Sequence, residues 1–145
     1  MQLTIKSNVG LVRQGLQNLS GEPVKIGRRK IYDTMNRITR AMEGYPAERP
    51  GQRYVRTGNL GASWRVNRME AGYQIVNNAR RKGIAYTVYV VGNAYGTGQA
   101  WMHQGRWQVF RDVADAEIEK LPEEVARELD MVARRVLPQN GAGVQ

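Results

Sequence analysis

A single narrow apolar stripe constrains this chain most. Val24, Ile31, Met35, Ile38 and Met42 fall within an arc of about 60° at about 100° per residue, so a helix over 23–42 must bury that one line of side chains. Pro23 sits in the first turn, where a missing N–H is tolerated, and Gly44 with Tyr45-Pro46 stops the helix. Lys25, Arg29, Lys30, Arg37 and Arg40 occupy the other side. A face like this is usually solvated; the functional alternative is that it meets a polyanion.

The remaining elements follow from shorter signals. Residues 2–6 alternate polar and apolar and predict a short strand. Val9, Val12, Leu16 and Leu19 are spaced as one side of a short helix, weakened by Gly10 and Gly15 and stopped at Ser20-Gly21. Residues 63–67 alternate with Trp64 and Val66 inward, Glu70-Ala71-Gly72 supplies a turn, and 73–77 returns as the second strand of a hairpin. Residues 84–91 are apolar or β-favouring on both faces, which predicts a strand covered on both sides, by helices or by a partner subunit. A helical period resumes at Gln108 through Phe110, Ala114, Ile118 and Leu121, and Pro122 opens a last helix with Val125, Leu129, Val132 and Val136 as its stripe. The expected fold is α+β: a small antiparallel sheet of about four strands packed against N-terminal and C-terminal helices. It forms a single domain over 1–137, with long loops at 44–61 and 92–107 and a flexible tail at 138–145.

Composition excludes several classes. At 145 residues, 41% hydrophobic and 24% charged, the chain is the length of one globular domain. No apolar run approaches bilayer length, and the opening MQLTIKSN lacks the basic and apolar regions of a secretory leader, so a soluble protein is expected. There is no Cys and only one His, His103, which removes disulfides, thiolate sites and histidine pairs; its expected role is structural. No Gly-Lys-Ser/Thr follows the Gly92 to Gly98 run, and Ser63 lies in no Gly-x-Ser-x-Gly elbow. Only Glu48 and Glu70 lie between residues 44 and 110, a poor carboxylate pair for glycoside hydrolysis. No enzyme, cofactor or metal is expected.

Charge is the unusual property. The chain carries +9, but residues 111–145 hold eight acidic against five basic residues. A basic body with an acidic C-terminal segment suits a polyanion, or head-to-tail contact between copies. Arg49, Arg53 and Arg56 in the first long loop, with Arg80, Arg81 and Lys82 in a turn, are the candidates for facing a channel or polyanion. In the second loop Tyr95, Trp101, Met102 and Trp107 are candidates for a subunit interface, because aromatic residues and Met with Arg typify interface centres. No C2H2 spacing, RNP signature or basic-zipper heptad is visible, which leaves a monomeric module with nonspecific nucleic-acid contact through the basic loop as the alternative function.

One resemblance concerns order and spacing. Thr57-Gly58-Asn59-Leu60-Gly61-Ala62-Ser63-Trp64, a hairpin, Ala85-Tyr86-Thr87-Val88-Tyr89-Val90-Val91-Gly92, a glycine and aromatic loop with Met102-His103 and Arg106-Trp107, and a C-terminal helix resemble the small tail-component and tail-completion proteins at the head-tail junction of long-tailed bacteriophages. Thr57, Gly58, Leu60 and Ser63 match the first motif, and Tyr86, Tyr89, Val90 and Gly92 the second, with Thr87 where a small residue or proline is commoner. The resemblance implies a structural virion protein of the tail or neck, assembled in the host cytoplasm. It further implies self-association into a ring, often hexameric, contact with other junction or tail proteins, and passage of DNA through the ring without specific recognition. Membrane and small-molecule partners are not implied.

Overall fold

The computed structural model describes residues 2–3, 21–52 and 56–136, and shows an α+β fold. Its elements are β1 (Gln2–Leu3), α1 (Gly21–Glu43), α2 (Asn59–Ala62), β2 (Trp64–Met69), β3 (Gly72–Asn77), β4 (Arg80–Arg81), β5 (Ile84–Ala85), α3 (Thr87–Val91), α4 (Phe110–Ile118) and α5 (Leu121–Val136). Instead of one sheet of about four strands there are two: an antiparallel sheet in the order β1-β3-β2, and a separate β4-β5 ribbon. The rest of the predicted 2–6 strand, the 9–19 helix and the 138–145 tail lie outside the described residues.

The predicted hairpin is present in register, with Trp64 opposite Asn77 and Met69 opposite Gly72. Met35, Ile38 and Met42 of α1 join Trp64, Ile75, Leu60, Phe110 and Ala114 in one buried core. The Trp64 and Phe110 rings stack at 5.6 Å and 8°, and Tyr32 on α1 meets Tyr73 on β3 at 5.2 Å. Leu60 reaches the core because α2 passes close to the end of α1. A Cβ at Gly61 would stand 2.8 Å from the Glu43 carbonyl oxygen, so only glycine permits that approach.

Residues 84–91 do not form the predicted two-sided strand. Only Ile84 and Ala85 pair, and Thr87–Val91 closes as a helical turn. Thr87, Val90 and Val91 are buried while Tyr89 faces out, a spacing of three and four residues. A short apolar run is consistent with either period, and here Asn77, which accepts the Thr87 hydroxyl at 2.8 Å, fixes the helical start. Burial on both faces belongs to β3 instead, where Gln74 through Asn77 are all buried.

The basic side of α1 does not await a polyanion along its whole length. Arg37 donates to Glu117 on α4 at 2.7 Å and to Glu124 on α5 at 3.0 Å, while Arg29 and Lys30 both pair with Glu128. Charge complementarity read along the sequence as a contact between copies is thus satisfied, at these residues, within one chain. Both neighbours hold Arg37 above the ordinary guanidinium value, with the Glu117 hydrogen bond leading; Lys120 first, then Arg37, lower Glu117. Replacing Arg37 with Met removes the cation that bridges Glu117 and Glu124, leaving Glu117 with Lys120 alone. We expect a loss of about 1–3 kcal/mol, read as a lower urea midpoint at unchanged slope. Because the folded Glu117 value is depressed, its contribution is present above the unfolded value and lost as pH falls through the folded one. The Arg37→Met deficit should therefore shrink on acidification below pH 4.5.

Candidate functional site

Three segments distant in sequence enclose a recess of about 660 Å³. Tyr45 with residues 49–52 and 56–57 forms one wall, Arg81, Tyr86, Tyr89 and Val90 a second, and Met102, His103, Arg106 and Trp107 the third. The first wall is held by Tyr45, whose hydroxyl accepts the Gly61 N–H at 2.9 Å and whose ring meets Trp107 edge-on at 5.2 Å. The third is a run of tight turns in which Trp107 N–H donates to the His103 carbonyl at 2.9 Å. Gln99 ties it down by donating to the Val90 carbonyl at 2.8 Å and the Trp107 carbonyl at 3.1 Å.

Two guanidinium groups close the gap between walls. Arg106 donates to the Ala47 carbonyl at 2.9 Å and to Oε1 of Gln52 at 3.1 Å. Arg56 donates to the Pro46 carbonyl and, at 3.3 Å, to that of Ala47, with its plane over Tyr45 and Trp107 at 5.6 and 5.8 Å. These acceptors are neutral, so they orient the cations without cancelling their charge. Glu48, at 4.0 Å from Arg56 and largely exposed, is the one carboxylate paired there among the described residues. The crowding shows in the ionisation: Arg106 is lowered by desolvation and then by Arg49 and Arg56. His103 is lowered from 6.5 by burial first, then by Arg106 and Arg49, so its neutral form prevails at pH 7. Its Nδ1 is buried without a hydrogen-bond partner among the described residues.

The structure divides the residues singled out in the sequence. Arg49, Arg56, Arg81, Met102 and Trp107 converge on the recess. Arg53 lies outside the described residues. Arg80 is exposed and bonds the Gly83 carbonyl at 3.0 Å, and Lys82 is exposed in a turn with φ 50°; neither lines the recess. Trp107 is half-buried and packs against the core cluster, unlike Trp101 and Tyr95, which are 80% and 79% exposed. Arg56, spent on carbonyls and ring faces, is part of the wall. Tyr86, Tyr89, His103 and Arg106 were not among the predicted site residues. The signal for the last two was the four-residue spacing of Met102 with Arg106 and of His103 with Trp107, which places each pair on one side of a helical turn.

The exposed aromatic residues sit on an ordered loop. Asn93 Oδ1 accepts the N–H groups of Tyr95 and Thr97 at 2.9 and 3.0 Å, and Arg111 donates to the Tyr95 carbonyl at 3.1 Å. Gly98, at φ +85°, passes so close to α3 that a Cβ would stand 2.6 Å from Val88 Cγ1. Among the described residues no group of three or more His, Asp or Glu side chains is placed to hold a metal ion, and no helix is long and apolar enough to cross a membrane. No family model matches the chain, and neither a curated protein nor a solved structure matches it.

Proposed function

We propose that this protein is a structural subunit of a tailed-phage virion, at the head-tail junction or at tail completion, that closes into a ring around the DNA channel. The observation that carries this reading is a set of large apolar side chains presented on hydrogen-bonded backbone: Tyr95, Trp101 and Met102 on the 92–107 loop, with Tyr89 beside it on α3 and Ile84 on β5. Exposed aromatic surface on a fixed scaffold suits a partner surface, and a second copy is the simplest partner. Trp107, the fourth candidate, is half-buried and packs against the subunit's own core. The Thr57-Gly58-x-Leu60-x-x-Ser63 motif has a local role that fits the resemblance: it builds α2, with Leu60 buried and the Ser63 hydroxyl donating to the Asn59 carbonyl at 2.6 Å. Residues 1–137 act as one domain, and the channel is passed by DNA without sequence recognition.

Native mass spectrometry at moderate salt tests the reading. The wild-type protein is expected as a closed ring of several copies, indifferent to an added duplex. Trp101→Ala, at a position 80% exposed, should change monomer stability by no more than about 0.5 kcal/mol yet shift the population to monomers with an unaltered circular dichroism spectrum. Rings that persist in Trp101→Ala and Tyr95→Ala together would sink the interface assignment. A wild-type monomer that gains one duplex mass would favour the nucleic-acid module instead.

A further inference from the structure

From the recess we infer a binding site for a nucleotide unit, a planar base carrying a phosphate, either free or within a single strand. This inference does not depend on ring formation. Its volume, about 660 Å³, lies within the range of small-ligand clefts, roughly 300–1,000 Å³. Beside aliphatic Leu60, Val90 and Met102 and neutral polar Gln52 and Thr57, the lining carries two kinds of recognition group. Aromatic surface comes from Tyr86 and Tyr89, the latter 58% exposed, beside the Tyr45 and Trp107 rings that Arg56 covers. Positive charge comes from Arg49, Arg56 and Arg106, with Glu48 paired to Arg56.

Stacking plus guanidinium contact is the combination by which single strands are held without base readout, each stacked base contributing about 1–3 kcal/mol. A duplex fits poorly, since its bases are already stacked and its phosphates lie on a convex surface. A lone carboxylate would leave most of this charge unanswered, whereas a phosphate monoester carries about two negative charges at neutral pH. Arg106 and Arg56 are already oriented by carbonyl and amide oxygens, so little side-chain order is lost on binding.

The test uses the full chain and its one histidine, whose imidazole signals in a two-dimensional NMR spectrum report on the recess without assignment. Adenosine 5′-monophosphate, adenosine and inorganic phosphate are titrated separately, followed by thymidine 5′-monophosphate and a ten-residue oligothymidylate. Expected are a shift of the His103 signals with the monophosphate and affinity at least tenfold above that of adenosine or phosphate. Arg49→Ala and Tyr89→Ala, both exposed and outside the core, should each weaken binding about tenfold, and Arg106→Ala more. Arg127→Ala, on the far helix α5, should leave it unchanged. Oligothymidylate binding a hundredfold above the mononucleotide assigns the natural source to a strand, and equal affinities assign it to a free nucleotide. The inference is overturned by silent His103 signals at millimolar nucleotide. It is equally overturned if Arg127→Ala weakens binding as much as Arg49→Ala, which is diffuse charge attraction, or if a glutamate-rich peptide displaces the nucleotide at the same concentration.

Discussion

Replacing Asn77 with Leu is expected to lower the unfolding free energy by roughly 3–5 kcal/mol, because three buried polar groups lose their partner at once. The Asn77 amide donates to the Leu60 carbonyl at 2.9 Å, while its oxygen accepts the Ala79 N–H at 2.9 Å and the Thr87 hydroxyl at 2.8 Å. One side chain thus joins the end of β3 to α2 and α3, and α3 carries Tyr89 into the recess. Leu keeps the branched shape of Asn but is larger, so the cost comes from unmet hydrogen bonds with some overpacking and not from a void. Since domains of this size are stable by about 5–15 kcal/mol, the variant should unfold at a far lower urea concentration with the same slope. Adding Thr87→Val to Asn77→Leu removes one of the orphaned groups and should recover about 1 kcal/mol, a coupling that a double-mutant cycle measures. A loss below 1 kcal/mol for Asn77→Leu alone would show that water or a local shift satisfies those groups.

Phe110→Ala is expected to cost about 3–5 kcal/mol, the range for deleting a buried aromatic ring and leaving a cavity. Phe110 is 1% exposed and lies flat on Trp64 where α4 meets the sheet. The neighbours around the gap come from α1, β2 and β3, which are held by their own ladders and helix bonds, so little collapse into the space is expected. Urea unfolding followed by tryptophan fluorescence and by circular dichroism should give coincident transitions. Phe110→Leu, which keeps most of the volume, should cost less than half as much. A deficit under 1.5 kcal/mol for the alanine variant would mean the packing here is looser than the 8° stacking implies.

Much of the scaffold was legible because its signals are local. Met35, Ile38 and Met42 recur at the helical period and are buried as that period requires; the 64–77 hairpin is marked by alternation and a turn. The recess was not legible in the same way. Tyr45 marks the end of α1 in the sequence, but nothing local joins it to Trp107 or brings Arg106 to Ala47, a partner 59 residues away. Arg56 looked like a free cation in a basic loop; only the carbonyls of Pro46 and Ala47 reveal its structural use.

The sequence by itself determined α1, the hairpin and the two C-terminal helices, along with a net charge of +9 and the lack of any cysteine. Periodicity over many residues leaves one face to bury, and the choice between helix and strand is then settled locally. Tertiary structure decided the rest. The run at 84–91 is short enough to suit either period, and the buried Asn77 fixed it as a helical turn. The acidic C-terminal helices could have met any basic surface, because charge has sign but no address. It was the packing of α4 and α5 alongside α1 that brought Glu117, Glu124 and Glu128 to Arg37, Arg29 and Lys30.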